Sequence, residues 1–279
     1  MGIDREQFFN EARAHTPAIV GEHDGLSVLV HTGDPWVSRL TFVHGQFELG
    51  AMTALIDRAD SHLGRPVVRG RRMVDVGANI GTTTLLAIHQ FGASHVIAIE
   101  PHPLNTRMIR ANVALNGFEG SVTVIEAAVS DRRGVAELDL ADENQGDHQI
   151  VGVGDSRRAP RADHPGNFIP VRADRLDHLV RRGDVGMVWV DTQGHDARVV
   201  ASGPRLARRS DACVIEYWPA GIREGVAAFH AAISAAWPLF VDVADILEGD
   251  GMLRGTERMA ELDERYPPDG SHTDVLLLK

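Results

Sequence analysis

From Arg71 onward the chain alternates between two periodicities. Short apolar runs bounded by turn residues fall at Met73–Val76, His95–Ile99, Val122–Ile125, Val185–Val190 and Ala212–Tyr217, and each predicts a strand. Between the second and third runs, Pro103–Asn116 sets Leu104, Met108, Ala111 and Leu115 at helical spacing, with Gly117 placed as a C-cap. Val226, Phe229, Ile233 and Trp237 repeat that pattern. Strands alternating with helices predict a mostly parallel sheet with helices on both faces, whose ligands sit at the carboxyl ends of the strands. Near the end of the chain, Leu239–Val243 and Thr273–Leu278 predict two further strands, joined by a polar, partly helical connection through Arg254–Arg265.

Residues 1–70 differ from this pattern. Leu26–His31 and Val37–Val43 predict two strands around the turn Thr32-Gly33-Asp34-Pro35, and Gln46–Leu63 predicts a helix ended by Gly64-Arg65-Pro66. The expectation is an N-terminal cap of hairpin and helix over a main domain spanning residues 71–279. The stretch Asp142–Gly166 fits neither periodicity and predicts a long loop, a kind of segment that is usually functional or mobile.

Composition narrows the partners. Acids outnumber Lys plus Arg by 39 to 28, so an extended nucleic-acid surface is disfavoured, because phosphate binding needs a basic stripe. Cys213 is the single cysteine, which excludes a disulfide framework, and its apolar strand context predicts a small buried residue. No apolar run approaches the roughly 20 residues that cross a bilayer. Met1–Glu6 carries no apolar leader, so a cytoplasmic protein is expected. Oligomeric state leaves no signal in the pattern.

The chemistry concentrates in Val74-Asp75-Val76-Gly77-Ala78-Asn79-Ile80-Gly81, which runs into Thr82 and a helix start. A strand that turns through Gly77 and Gly81 into a helix offers backbone N–H groups to a nucleotide. Asp75 would repel a phosphate, but it suits the ammonium of S-adenosylmethionine (SAM), whose carboxylate suits the helix N-terminus. An NAD site would want glycine where Asn79 stands. Glu100, followed by Pro101 about 20 residues beyond the turn, is placed to accept ribose hydroxyls, with Asn105 nearby in the next helix. Glu126, Ala127 and Ala128 end the third strand, where an adenine would lie.

The fourth strand delivers Asp191-Thr192-Gln193-Gly194-His195-Asp196, and the fifth ends at Glu216. A hydroxyl acceptor needs a base, and the candidates are His195 and then His148, with Asp191 orienting substrate or base. His148 is attractive because a closing loop could carry it over the substrate. Asp191, Glu216 and Asp196 could offer oxygen ligands to Mg²⁺, but no spacing demands the metal and it is not expected. A protein or nucleic-acid methyltransferase and a non-catalytic SAM-binding module are the rival readings. An Asn-Pro-Pro-aromatic turn would favour the first of these, and the fourth strand lacks it.

Taken with Ala98-Ile99-Glu100-Pro101, Ala127–Ser130, Asp174–Leu179 and Val214-Ile215-Glu216, these motifs resemble the FkbM-type SAM-dependent methyltransferases from about Phe47 onward. The specific element is Asp191-x-x-Gly194-x-Asp196, where the family usually carries Glu at the last position. The resemblance implies a Rossmann-like class I fold with a mostly parallel seven-stranded sheet and an antiparallel last strand. It also implies O-methylation of a hydroxyl on a small molecule such as a secondary metabolite or sugar, with an amine or carboxylate acceptor as the alternative. The early hairpin and the Asp142–Gly166 stretch match the family poorly, so substrate choice is expected to reside there.

Overall fold

The computed structural model describes residues 4–45, 48–141, 148–153, 167–222, 225–267 and 270–279. It opens with helix α1 (Arg5–Ala12), capped by Asp4, whose carboxylate accepts the Gln7 N–H. Strands β1 (Ala18–His23) and β2 (Leu26–His31) then pair antiparallel. Their two-residue turn is Asp24-Gly25, both at positive φ, the geometry that matches the natural twist of a hairpin. The hairpin therefore lies one strand earlier than expected. Val37–Val43 is not a strand but part of helix α2 (Val37–His44). Asp34 starts it by accepting the N–H groups of Trp36 and Ser38 at 3.0 and 2.9 Å, and Ser38, Thr41 and Phe42 form its buried face. Helix α3 (Leu49–Leu63) follows and ends at Gly64 in the left-handed region.

The alternating region comes next: β3 (Arg72–Val76), α4 (Thr82–His89), β4 (His95–Glu100), α5 (Pro103–Leu115) and β5 (Val122–Glu126). Helix α5 buries Met108 of the predicted face together with Asn105, Ile109, Asn112 and Val113, and leaves Leu104 and Leu115 exposed. The reason is polar. Asn112 bonds both Leu29 N–H and Leu29 C=O, Asn116 does the same at Ser27, and so the outer edge of β2 is satisfied by two side-chain amides. These bonds, with a shared apolar core running from Phe9, Val28 and Phe42 to Met73 and Leu85, fasten the first 70 residues to the sheet.

A second, four-stranded sheet went unread in the sequence. It consists of β6 (Ala128–Val129), β7 (Gly134–Leu140), β8 (Gln149–Val153) and β9 (Asn167–Asp174), in the order β6-β9-β7-β8. Part of the supposed loop is thus the strand β8, paired antiparallel with β7. The rest of that stretch, 142–147 and 154–166, lies outside the described residues.

The chain then adds α6 (Leu176–Leu179), β10 (Val185–Val190), α7 (Asp196–Ser202), α8 (Pro204–Arg208), β11 (Ser210–Tyr217), α9 (Val226–Ser234), β12 (Leu239–Asp242), α10 (Val243–Leu247), β13 (Arg254–Gly255), α11 (Glu261–Arg265) and β14 (Thr273–Leu278). The main sheet has the order β13-β12-β14-β11-β10-β3-β4-β5, with β14 antiparallel to both neighbours as expected, and the two-residue β13 as an eighth strand. Every residue of β10 is buried, including its neighbour-facing Trp189, as a central parallel strand requires. Cys213 is buried in β11. Sequence order runs outward from β3 in both directions, so a crevice opens at the carboxyl ends of β3, β4 and β10.

Candidate active site

That crevice is a cleft open to solvent, walled by the strand ends on one side and the second sheet on the other. Of the predicted site residues, Gly77, Asn79, Glu100, Pro101, Asn105, Ala127, Ala128, Asp191, His195 and His148 line it. Asp75, Ala78, Gly81, Thr82 and Glu126 do not. Asp75 is buried behind the turn, where the Thr84 hydroxyl donates to it at 2.5 Å. Glu126 accepts from the Thr106 hydroxyl at 2.8 Å and lies 3.6 Å from Arg110, and it does not line the cleft.

The glycine turn has a reason that the sequence did not show. Gly77 sits at φ +86°, and a Cβ there would fall 1.7 Å from the Asp191 carbonyl oxygen. It is glycine because the ends of β3 and β10 touch. Asn79 takes φ +50°, which asparagine tolerates better than most residues. This turns its N–H onto Glu100 Oε2 at 3.0 Å, while Glu100 Oε1 accepts the His102 N–H at 2.9 Å. Burial, offset by these bonds, pushes the Glu100 carboxyl up to about 7; burial does the same to Asp75.

At the end of β10, Gln193 at φ +52° folds its amide back to Asp191 Oδ1 at 2.8 Å. Asp196 is spent on structure: it accepts the N–H groups of Thr192 and Gly194 and shapes the turn into α7. Among the described residues no group of three or more His, Cys, Asp or Glu side chains is arranged to hold a metal ion. His195, the N-cap residue of α7, is buried with Nε2 3.1 Å from Ser130 Oγ, and that hydroxyl reaches Asp131 at 3.2 Å. Ser130 stood inside a recognised motif, but only the fold brings it to His195.

Glu48 is the residue the sequence missed. It is a non-glycine residue at φ +67° immediately before α3, a left-handed conformation costing about 1–3 kcal/mol. Its side chain is solvent-exposed. Desolvation first, then the like charges of Asp191, Asp274 and Asp75, raises its carboxyl above the usual range, and solvent contact tempers that rise. A charged residue in a helix-start turn gives no sequence signal for that role.

Three buried polar atoms of cleft residues have no hydrogen-bond partner among the described residues: Asn105 Oδ1, His148 Nε2 and Thr192 Oγ1. Buried polar groups are rarely left so unless a ligand or water meets them.

The strand order, with its last strand inserted antiparallel between β11 and β12 and its cleft at the switch point, is that of a Rossmann-like class I methyltransferase. The chain belongs to the FkbM methyltransferase family: the family described as Methyltransferase FkbM domain matches residues 75–251. It is 26% identical over 200 residues to the 2-O-methyltransferase NoeI of Sinorhizobium fredii, covering 66% of this chain and 79% of that protein. Among solved structures it is similar to a methyltransferase FkbM from Methylobacillus flagellatus, at 14% identity and TM-score 0.39, over 75% of this chain and 43% of that one. It is also similar to TYW2 of M. jannaschii in complex with AdoMet, at 13% identity and TM-score 0.44, over 94% and 85%. No helix among the described residues is long and apolar enough to cross a membrane.

Proposed function

We propose that the protein is a cytoplasmic SAM-dependent O-methyltransferase acting on a hydroxyl of a small molecule, with a sugar as the first acceptor to try. The observation that carries the reading is the cleft itself. Glu100 is already fixed by two backbone N–H groups, which leaves its outer lone pairs for a ribose diol, while Asp191, Thr192 and His195 gather at the other end. The unpartnered Asn105 Oδ1 and Thr192 Oγ1 fit a polar ligand lying between them. SAM supplies a methyl group activated by its sulfonium.

The rest of the work falls to the protein. Asn79, Glu100 and Asn105 would hold the nucleoside, and the apolar Ala127 and Ala128 would flank the adenine. Asp191 would orient the acceptor, and His195 would take the hydroxyl proton. Because Ser130 Oγ donates to Asp131, it can accept from His195 Nε2–H, which fits the neutral tautomer protonated on Nε2. The sugar preference rests on the similarity to NoeI.

The test is transfer of isotopically labelled methyl from SAM to a panel of sugars, oligosaccharides and hydroxylated metabolites, with amines and carboxylic acids run alongside. An O-methyl ether product supports the reading. A product methylated on nitrogen or on a carboxylate would replace it.

A further inference from the structure

His148 was the second candidate base, and its surroundings point elsewhere. The Ala141 N–H donates to His148 Nδ1 at 3.1 Å, so that nitrogen is the acceptor and the neutral ring carries its proton on Nε2. A ring in this tautomer presents a donor, not a lone pair. That donor is buried and has no partner among the described residues, although His148 lines the cleft.

The position is equally specific. His148 immediately precedes β8 and lies two residues before Ile150, so the two share a face of the second sheet. Ile150 pairs with Leu138 across β7, and both line the cleft. The His148 ring meets the edge of His102 at 4.7 Å between centroids. His102 stands two residues beyond Glu100, at the N-cap of α5. His148 therefore sits at the β4 end of the cleft. Asp191 and His195 end β10, two strands away across β3, about 10 Å at normal strand spacing.

We propose that His148 is a hydrogen-bond donor to a ring nitrogen of the cofactor's adenine, and that the second sheet is the element that brings this contact to the site. The proposal rests on the reading of the cleft as a SAM site. It explains why an apolar strand pair, Leu138 and Ile150, ends in one polar residue: the pair covers one face of a flat ring and the imidazole reads its edge. Burial holds the imidazole well below its usual range, at about 4, so the donor form persists through neutral pH.

The test is calorimetric titration of the full chain with S-adenosylhomocysteine and with its 1-deaza, 3-deaza and 7-deaza analogues, for wild type, His148→Phe and His148→Gln. Wild type should lose about tenfold in affinity for one of the three analogues, the scale of one lost hydrogen bond at a buried donor. His148→Phe should bind S-adenosylhomocysteine about tenfold more weakly than wild type and be indifferent to that same replacement. His148→Gln, which keeps an N–H donor and an acceptor for Ala141, should stay within about threefold of wild type. Wild-type binding with unchanged affinity in a folded His148→Phe would overturn the proposal alone. So would loss of turnover in that variant at full cofactor affinity, which would return His148 to the acceptor. Absence of any wild-type binding would overturn the cofactor reading together with the proposal.

Discussion

Replacing Gly77 by alanine tests the link between the glycine turn and the acceptor end of the cleft. The added Cβ would lie 1.7 Å from the Asp191 carbonyl oxygen and 2.8 Å from its carbon, backbone atoms that no rotamer can move aside. The residue also holds φ +86°, which costs a non-glycine residue about 1–2 kcal/mol. Forcing an extra carbon into a packed contact adds about 1–3 kcal/mol. The sum is roughly 2–5 kcal/mol, or on the order of 5–15 °C in Tm for a chain of this size. Gly81 provides the internal control. It too has positive φ, +93°, but its Cβ would meet only the Ile109 side chain at 3.4 Å, so Gly81→Ala should lose only about 1–2 kcal/mol. Thermal unfolding of both variants, followed by titration with S-adenosylhomocysteine, separates the two causes. Gly77→Ala should be the less stable and should lose at least about tenfold in affinity, since the turn and Asp191 must move apart. Equal stabilities, or a Gly77→Ala protein within 2 °C of wild type by the size scaling just used, would refute the contact as the reason for the glycine.

Other expectations follow from the same geometry. His195→Ala should lower kcat by roughly two to four powers of ten while leaving S-adenosylhomocysteine affinity within about twofold, and lost binding in a folded variant would remove its role as base. Stability should also depend on pH with a defined sign. Asp75, Glu100 and Asp196 have carboxyls raised to about 7 by burial, so between about pH 4 and 7 the folded protein binds more protons than the unfolded chain. Their contribution to stability therefore falls as pH rises, by on the order of 1 kcal/mol per group from pH 6.5 to 8. His31, His102 and His148 are lowered by burial and act in the opposite sense below about pH 6.5, where the unfolded chain takes up protons first. Tm of the ligand-free protein should thus fall between about pH 6.5 and 8, where only the raised acids still titrate, and a rise through that range would contradict the buried acids.

The main sheet was legible because its strands are short apolar runs ending in chemistry: β3 in Gly77, β4 in Glu100 and β10 in Asp191. Parallel strands buried on both faces leave that signature whatever packs on them. Elsewhere, local preference lost to tertiary contacts. Val37–Val43 looks like a strand by composition, but Asp34 caps a helix there and fixes the outcome. Asp24-Gly25, both at positive φ, make the hairpin turn, whereas Thr32–Pro35 lead into α2. Helix α5 turned a polar, asparagine-bearing face inward because an exposed edge of β2 needed partners, which no one-dimensional pattern encodes. In the site, the strand-end residues were found from sequence. Ser130, Glu48 and the donor role of His148 depend on elements that meet only in three dimensions.

A SAM-binding cleft at the ends of β3, β4 and β10 is checked by calorimetric titration of the full chain with S-adenosylhomocysteine, beside an identical titration with NADH. One molecule of S-adenosylhomocysteine should bind per chain with micromolar affinity, weakened by Gly77→Ala, with no heat from NADH. Binding of NADH, or of neither ligand by a folded protein, would contradict a SAM site.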